Sequence, residues 1–255
     1  MVKINVLSSG SSGNAVVIQS SKSSILIDDG VSFKKLKCLF EKEKLSIDKI
    51  DALVVSHEHS DHISGIKILL KKKPIPVFVS DLVAQDIEFP DDFDNMVNIV
   101  EAEEDFEIED FIIKPFLVPH DAKQTFGFVI FCDGIKIGYA ADLGTYNEHI
   151  VKRIKDSNCL MVEFNHDLDL LHNSPYPEHL KLRIASRIGH LSNDQGAKLL
   201  SKTISEETKA VYLMHLSKET NKKEYAEIAA YSALKEKDIF FEITNHLEPS
   251  RPFIF

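Results

Sequence analysis

The chain has 255 residues, with 30 Lys+Arg against 40 Asp+Glu for a formal net charge of −10, 44% hydrophobic residues and no Trp. Such a chain buries a sizeable core unaided, which excludes collagen-like, disordered and disulfide-scaffold architectures. No window approaches the ~18 uninterrupted apolar residues of a membrane helix, and residues 1–7 are too short and strand-like for a signal peptide, so a cytoplasmic protein with no membrane partner is expected.

Short apolar runs punctuated by Gly and Ser predict antiparallel strands over 4–7, 15–18 and 24–27, the first two joined by Ser8-Ser9-Gly10-Ser11-Ser12-Gly13-Asn14. Ser32 is placed to cap a helix over 33–44, where Phe33, Leu36, Leu39 and Phe40 recur at helical spacing. The apolar run 51–55 reads as a strand delivering Ser56-His57, followed by a helix over 63–73 and a strand over 76–79. Residues 86–110 hold 12 acids and no Lys or Arg, most simply a solvated peripheral face. Without them the rest of the chain carries +2, so the global charge is weak evidence against a polyanionic partner. Strands over 111–118 and 125–132, a Gly134 hairpin turn and a strand over 136–141 come next. A helix over about 146–154, a strand over 159–164, helices over 177–188 and 193–205, a strand over 210–214 and a helix over 221–236 complete the reading. This order predicts a single α/β domain over 1–255, two mixed sheets packed face to face with helices outside. Cys38, Cys132 and Cys159 read as buried free thiols without chemistry.

The strongest chemical signal is His57-Glu58-His59-Ser60-Asp61-His62, directly after a predicted buried strand. Three imidazoles and a carboxylate within six residues are costly to bury unpaired, whereas a loop leaving a strand can aim them at cations. In an extended segment His57 and His59 point the same way and suit one metal; Asp61 and His62, after the bend, suit a second. Further candidates end other predicted strands: His120, Asp142 and His215. Any one alone would read as a turn residue; together with the histidine loop they read as ligands.

The succession Leu26-Ile27-Asp28-Asp29-Gly30, the 57–62 motif, His120, Asp142 and His215 resembles the metallo-β-lactamase fold superfamily. The resemblance implies a four-layer αβ/βα sandwich with a dinuclear centre at the edge of two mixed β-sheets flanked by helices. It implies His57, His59 and His120 around one cation, Asp61, His62 and His215 around another, Asp142 bridging them, and Asp28 supporting the ligand loop from behind. Two divalent cations, zinc or manganese, would generate a nucleophile at neutral pH and grip an anionic centre under in-line attack, with Asp61 both ligand and partner of the attacking water.

The segments His120-Asp121-Ala122 with Thr125-Phe126-Gly127-Phe128, and Gly189-His190-Leu191-Ser192-Asn193, are similar to the phosphodiesterase and nuclease branches. That similarity implies His190 as general acid for a poor alkoxide leaving group, with Glu163 orienting it. More narrowly, Ser8 to Ala15, Ser56 to Gly65, Ala141-Asp142-Leu143-Gly144, Asn165-His166-Asp167, the Gly189–Asn193 segment and His215-Leu216-Ser217 resemble the YycJ/WalJ family. What that implies is a manganese- or zinc-dependent 5′→3′ exonuclease on double-stranded DNA with a role in repair. Asp29, where small residues are usual, and Phe164, where a serine is usual, depart from the family pattern.

Between Asp142 and His215 lie about 70 residues, too few for the large cap domain of RNA-processing members. Substrate must then be held by the core's own surface. Ser8, Ser11, Ser12 and Asn14 could cradle a terminal phosphate, with Asn165, His166, Ser192, Asn193 and Lys218 as further contacts. Lys181, Arg183, Arg187, Lys222 and Lys223 could meet phosphates at the rim. The alternatives are a small-substrate hydrolase of the same fold (cyclic phosphodiesterase or thioesterase), an RNA-processing nuclease, or a metal-binding regulatory partner. An open basic groove favours the exonuclease and a closed pocket the small-substrate enzyme. Sequence patterning does not distinguish manganese from zinc, nor monomer from oligomer.

Overall fold

The computed structural model describes residues 1–235 and 237–255. Strands β1 (Lys3–Ser8), β2 (Ala15–Gln19), β3 (Ser24–Ile27), β4 (Ala52–Val54), β5 (Val77–Val79) and β6 (Val97–Ile99) form the first sheet. The second holds β7 (Phe106–Ile108), β8 (Phe111–Leu117), β9 (Phe126–Cys132), β10 (Ile135–Ala140), β11 (Cys159–Glu163), β12 (Ala210–Met214) and β13 (Phe240–Ile243), while β14 (Phe253–Ile254) returns to pair with β1. Both sheets are mixed: β1–β3 and β7–β10 are antiparallel, and β3–β6 and β10–β13 run parallel.

Period-two alternation builds the layers. Ile4, Val6, Val16, Ile18, Ile25 and Ile27 of the first sheet meet Phe111, Ile113, Phe128, Ile130, Met161 and Tyr212 of the second in the central core. The opposite faces pack on helices. Leu26, Leu53 and Val77 cover α1 (Phe33–Lys42) and the later α3 (Ile66–Lys72). Leu160, Val162, Val211 and Leu213 cover α5 (Glu148–Ile154), α8 (Asn193–Thr203) and α9 (Lys223–Leu234). The result is the four-layer αβ/βα sandwich.

Several expectations need correction. The helix expected over 63–73 is two, α2 (Ser60–Ile63) and α3, because Gly65 N–H turns back to Asp29 O (2.8 Å) and Ser64 Oγ–H to Gly30 O (3.0 Å). The helix expected over 177–188 is α7 (Glu178–Ile184), which ends where His190 N–H folds back onto Ile184 O (2.9 Å). Helix α9 stops at Leu234; position 236 lies outside the described residues. Two short helices, α4 (Asp81–Ala84) and α6 (Leu168–His172), and four strands, β6, β7, β13 and β14, were not anticipated. Cys132 and Cys159 are buried, but Cys38 is exposed, lying off the stripe of Leu36, Leu39 and Phe40 by which α1 packs. The acidic segment forms the edge of both sheets through β6 and β7, and stacked Phe78 and Phe106 (5.1 Å) tie the sheets together there.

The loops at the carboxyl ends of β3, β4, β8, β10 and β12 converge at one edge of the sandwich. Loop-on-loop contact is close: Asn14 N–H donates to Asp61 O (2.8 Å), Asp29 N–H to His62 O (2.9 Å) and Gly30 N–H to Asn14 O (3.0 Å). A Cβ at Gly30 would sit 1.6 Å from Asp61 O. Gly30→Ala should therefore cost about 1–3 kcal/mol and lower the melting midpoint by roughly 3–10 °C. Thermal unfolding checks this, and a midpoint within about 1 °C of wild type would show that the loops need not touch.

Candidate metal centre

The candidate ligands stand where strands end, with Asp61 and His62 carried one step further onto α2. Asp28 follows β3, Ser56 and His57 follow β4, Asp142 follows β10 and His215 follows β12. Asp28, Asp142 and His215 take left-handed φ values of 57°, 56° and 56°. A non-glycine residue holds that conformation only when its surroundings over-determine it.

Asp28 is fully buried and its carboxylate accepts three hydrogen bonds. Ser56 N–H and Ser56 Oγ–H each donate at 2.8 Å, and His62 Nδ1 lies 2.8 Å from Oδ2. A carboxylate only accepts, so Nδ1 of His62 carries a proton and Nε2 is the ring nitrogen left to face a cation. Ser56 Oγ also lies 3.0 Å from His57 Nδ1. One carboxylate thus orients the loop that carries the histidine motif. Ser56 was not singled out from sequence, although its position immediately before His57 was the available signal.

Two groups of ligand atoms result. Those of His57, His59 and His120 lie within 4.8 Å of one another, with His120 Nε2 and His59 Nδ1 3.2 Å apart. His120 is aimed by its Nδ1–H, which donates to Gly189 O (3.0 Å). The second group surrounds Asp142: Oδ2 is 3.2 Å from His62 Nε2 and Oδ1 is 2.5 Å from His215 Nδ1. Asp61 Oδ2 lies 3.8 Å from His62 Nε2 and 3.6 Å from His215 Nε2. Ligand atoms of His57, His62 and Asp142 also fall within 4.8 Å, so His57 stands between the groups.

The electrostatics suit cations. Burial, then the neighbouring His62, lowers His57 well below the ordinary imidazole value, and burial lowers His120, so both stand neutral as metal ligands must. Burial opposes charge on His62, but Asp142 and Asp28 outweigh it and lift the ring to about 10. Burial would raise Asp61; its bond to His215 and the charges of His62 and His215 instead hold it near 2. Protons on His62 and His215 thus balance Asp61 and Asp142, charge that a divalent cation would supply in their place. Buried His57 Nε2 has no hydrogen-bond partner among the described residues, while Asp142 Oδ2 and both ring nitrogens of His215 meet their neighbours as ion pairs without well-formed hydrogen bonds, a donor set that fits divalent cations.

The cluster opens into a cleft of about 360 Å³, lined also by Ser11, Asn165, Leu180, Arg183, Ile184, His190 and Ser217. Glu163, buried at the end of β11, accepts from His190 Nδ1 (2.7 Å), Leu143 N–H (2.9 Å) and Leu191 N–H (3.3 Å). Its four-membered grouping with Asp142, His190 and His215 also falls within 4.8 Å.

Of the expected substrate contacts, Ser11 and Asn165 line the cleft, and exposed Lys218 donates to Ser12 Oγ (2.6 Å) at its edge. The others serve the scaffold behind it. Ser8 Oγ–H donates to Gly13 O, Asn14 reaches over Asp61 and His62, and Ser192 caps α8 in a box with Gln195. Asn193 bonds Asn221 (2.9 Å), and the backbone of buried His166 pairs with Ser192 while both nitrogens of its ring stand without a hydrogen-bond partner among the described residues. Asp121, outside the expected site residues, stands at the cluster's rim: its Oδ2 pairs with Arg183 while Oδ1 lies 3.5 Å from His120 Nε2.

The Asp28–His62 contact yields a direct test. Asp28→Asn keeps shape but loses the charge that fixes His62, and should weaken divalent-cation affinity roughly 10–100-fold. Competition with a chromogenic chelator reads this, and unchanged affinity would show that Asp28 is merely structural.

Comparison with known proteins agrees with this architecture. A family model described as a beta-lactamase superfamily domain matches residues 23–216. The chain is 33% identical to Exodeoxyribonuclease YycJ of Bacillus anthracis over 91% of this chain and 89% of that one. It is 32% identical to Exodeoxyribonuclease WalJ of Streptococcus pneumoniae over 93% and 90%. Among solved structures, the metallo-beta-lactamase fold protein YhfI from Bacillus subtilis superposes with a TM-score of 0.74 at 16% identity, covering 99% and 98% of the two chains. The chain therefore belongs to the metallo-β-lactamase superfamily of hydrolases, within its YycJ/WalJ family.

Proposed function

We propose that this chain is a dinuclear metal-dependent phosphodiesterase, a 5′→3′ exonuclease on double-stranded DNA that serves DNA repair in the cytoplasm and works as one domain without a cap. The observation that carries this reading is the His190–Glu163 pair standing beside a seven-residue His/Asp cluster in one solvent-reached cleft. The names of the YycJ and WalJ relatives support DNA as the substrate, and duplex preference and polarity follow from the family resemblance. No helix among the described residues is long and apolar enough to cross a membrane.

His57, His59 and His120 would hold one cation, Asp61, His62 and His215 the other, with Asp142 between them. Two zinc or manganese ions held by these residues would supply a water activated near neutral pH and positive charge against the phosphoryl oxygens. Asp61 Oδ2 lies on the open side, with 19% of its side chain exposed, where it orients the attacking water. Glu163 fixes His190 by Nδ1, leaving Nε2 to hold the proton that the departing alkoxide needs. His59 and His190 retain 30% and 20% side-chain exposure, so a polymer can reach the centre without threading a closed pocket.

Incubation with end-labelled duplexes tests the reading. A 5′-labelled strand should lose its label at once as a short product, a 3′-labelled one should shorten progressively, and chelator should stop both. Turnover of a cyclic nucleotide or thioester without DNA digestion would establish the small-substrate alternative.

Two substitutions probe the roles. Asp61→Ala should abolish hydrolysis with the fold intact; retained activity with normal metal content would contradict its place. His190→Ala should slow DNA cleavage by roughly 10²–10⁴-fold without loss of metal. The deficit should shrink on bis(p-nitrophenyl) phosphate, whose leaving group needs no proton. Equal losses on both substrates would make His190 a positioning residue.

A further inference from the structure

Beyond the Ser8–Asn14 loop lies a second cleft of about 220 Å³, lined by Lys218, Asn221, Lys222, Lys223, Asn245 and His246, with Glu248 at its margin. Ser217 lines both this cleft and the catalytic one, so the two adjoin. Its lysines pair with no carboxylate among the described residues. Lys218 donates to Ser12 Oγ, Lys223 to Asn245 Oδ1, and Lys222 lies 5.5 Å from the Tyr225 ring centre, all neutral partners. Glu248 is spent on Lys42 (2.5 Å). Across the catalytic cleft, by contrast, Arg183 is neutralised by Asp121 and Lys181 is tied to the His172 carbonyl.

The wall is built to admit an anion. The 12-residue helix α9 begins here at Lys223 without a side-chain cap, leaving amides at its positive end. Partly buried His246 forms the back of the cleft beside Lys218 and Lys223. His246 can lie against the catalytic loop only because position 10 is glycine; a Cβ there would fall 2.2 Å from its ring.

We infer that this cleft is a backbone-phosphate subsite, which takes an internucleotide phosphate of the DNA strand whose scissile bond lies at the metal centre. The inference rests on the exonuclease reading and locates the strand's path, past Ser217 toward α9 rather than over α7. On the opposite flank Arg183 is already paired and Lys181 already tied to a carbonyl, which leaves Arg187 there against the three lysines of this cleft. The lysines act as point charges on a diester, so they set affinity and salt dependence without reading base sequence.

The test is K222A/K223A in the full chain, loaded with manganese and assayed on 5′-phosphorylated duplex DNA over a salt series. The KM should rise roughly ten-fold, and the slope of log KM against log salt should fall by about two, one per lysine. Melting midpoint and metal content should match wild type. Should the alanine variant melt early, K222Q/K223Q removes the charges while keeping the stems. A folded variant with unchanged KM and slope overturns the subsite and leaves the exonuclease reading standing. Wild-type protein that fails to digest DNA overturns both.

Discussion

The structure depends on one buried carboxylate. Asp28 has no solvent exposure and spends its oxygens on Ser56 N–H, Ser56 Oγ–H and His62 Nδ1–H. An unpaired ion there would be costly, so the contacts are mutually obligatory: the loop must present His62 for Asp28 to be buried, and Asp28 must be buried for His62 to keep one tautomer. From that anchor the rest follows. Ser56 continues to His57, the turn at Ser60 brings Asp61 round, and the Asn14 amide lies over both Asp61 and His62.

Strand ends supply rigidity. Ligands mounted on loops alone would drift; here Asp142 stands two residues past β10 and His215 one residue past β12, both fully paired central strands, and both bend sharply into left-handed conformations. Each such residue stores of order 1 kcal/mol of strain. Phe111, Phe126, Phe128, Tyr139 and Tyr212, all buried between the sheets, hold the backbone against that strain. The cluster's geometry is thus set by the core, and the charge between His215, His62 and Asp142 is balanced by protons that a bound cation would displace.

Much of this was legible in the sequence. Buried strands announce themselves by apolar runs, and a cluster of three histidines and an aspartate at the end of one has few uses besides metal. What stayed hidden has physical causes. Strands β6 and β7 are three-residue sheet edges in an acid-rich segment, where short length and charge guard against edge pairing and erase the strand signal. Helix α7 buries no side chain, so its apolar residues Leu180, Leu182 and Ile184 mimic a longer core helix while two of them line the cleft. Ser8, Ser192 and Asn193 read as ligand-facing polar groups, but they close hydrogen bonds within the scaffold, a difference set by tertiary partners that spacing does not encode. The Arg183–Asp121 pair spans 62 positions and likewise has no local signature.

The central proposal is that Asp28 and the strand ends preorganise two adjacent cation sites that would share Asp142. Equilibration of the full chain with manganese or zinc, removal of free ion and elemental analysis against protein concentration measures this directly. The account predicts two equivalents per chain, falling to one when His59→Ala or Asp61→Ala removes a ligand from one side only. A wild-type value of one, or a drop to none in both variants, would contradict a shared dinuclear centre.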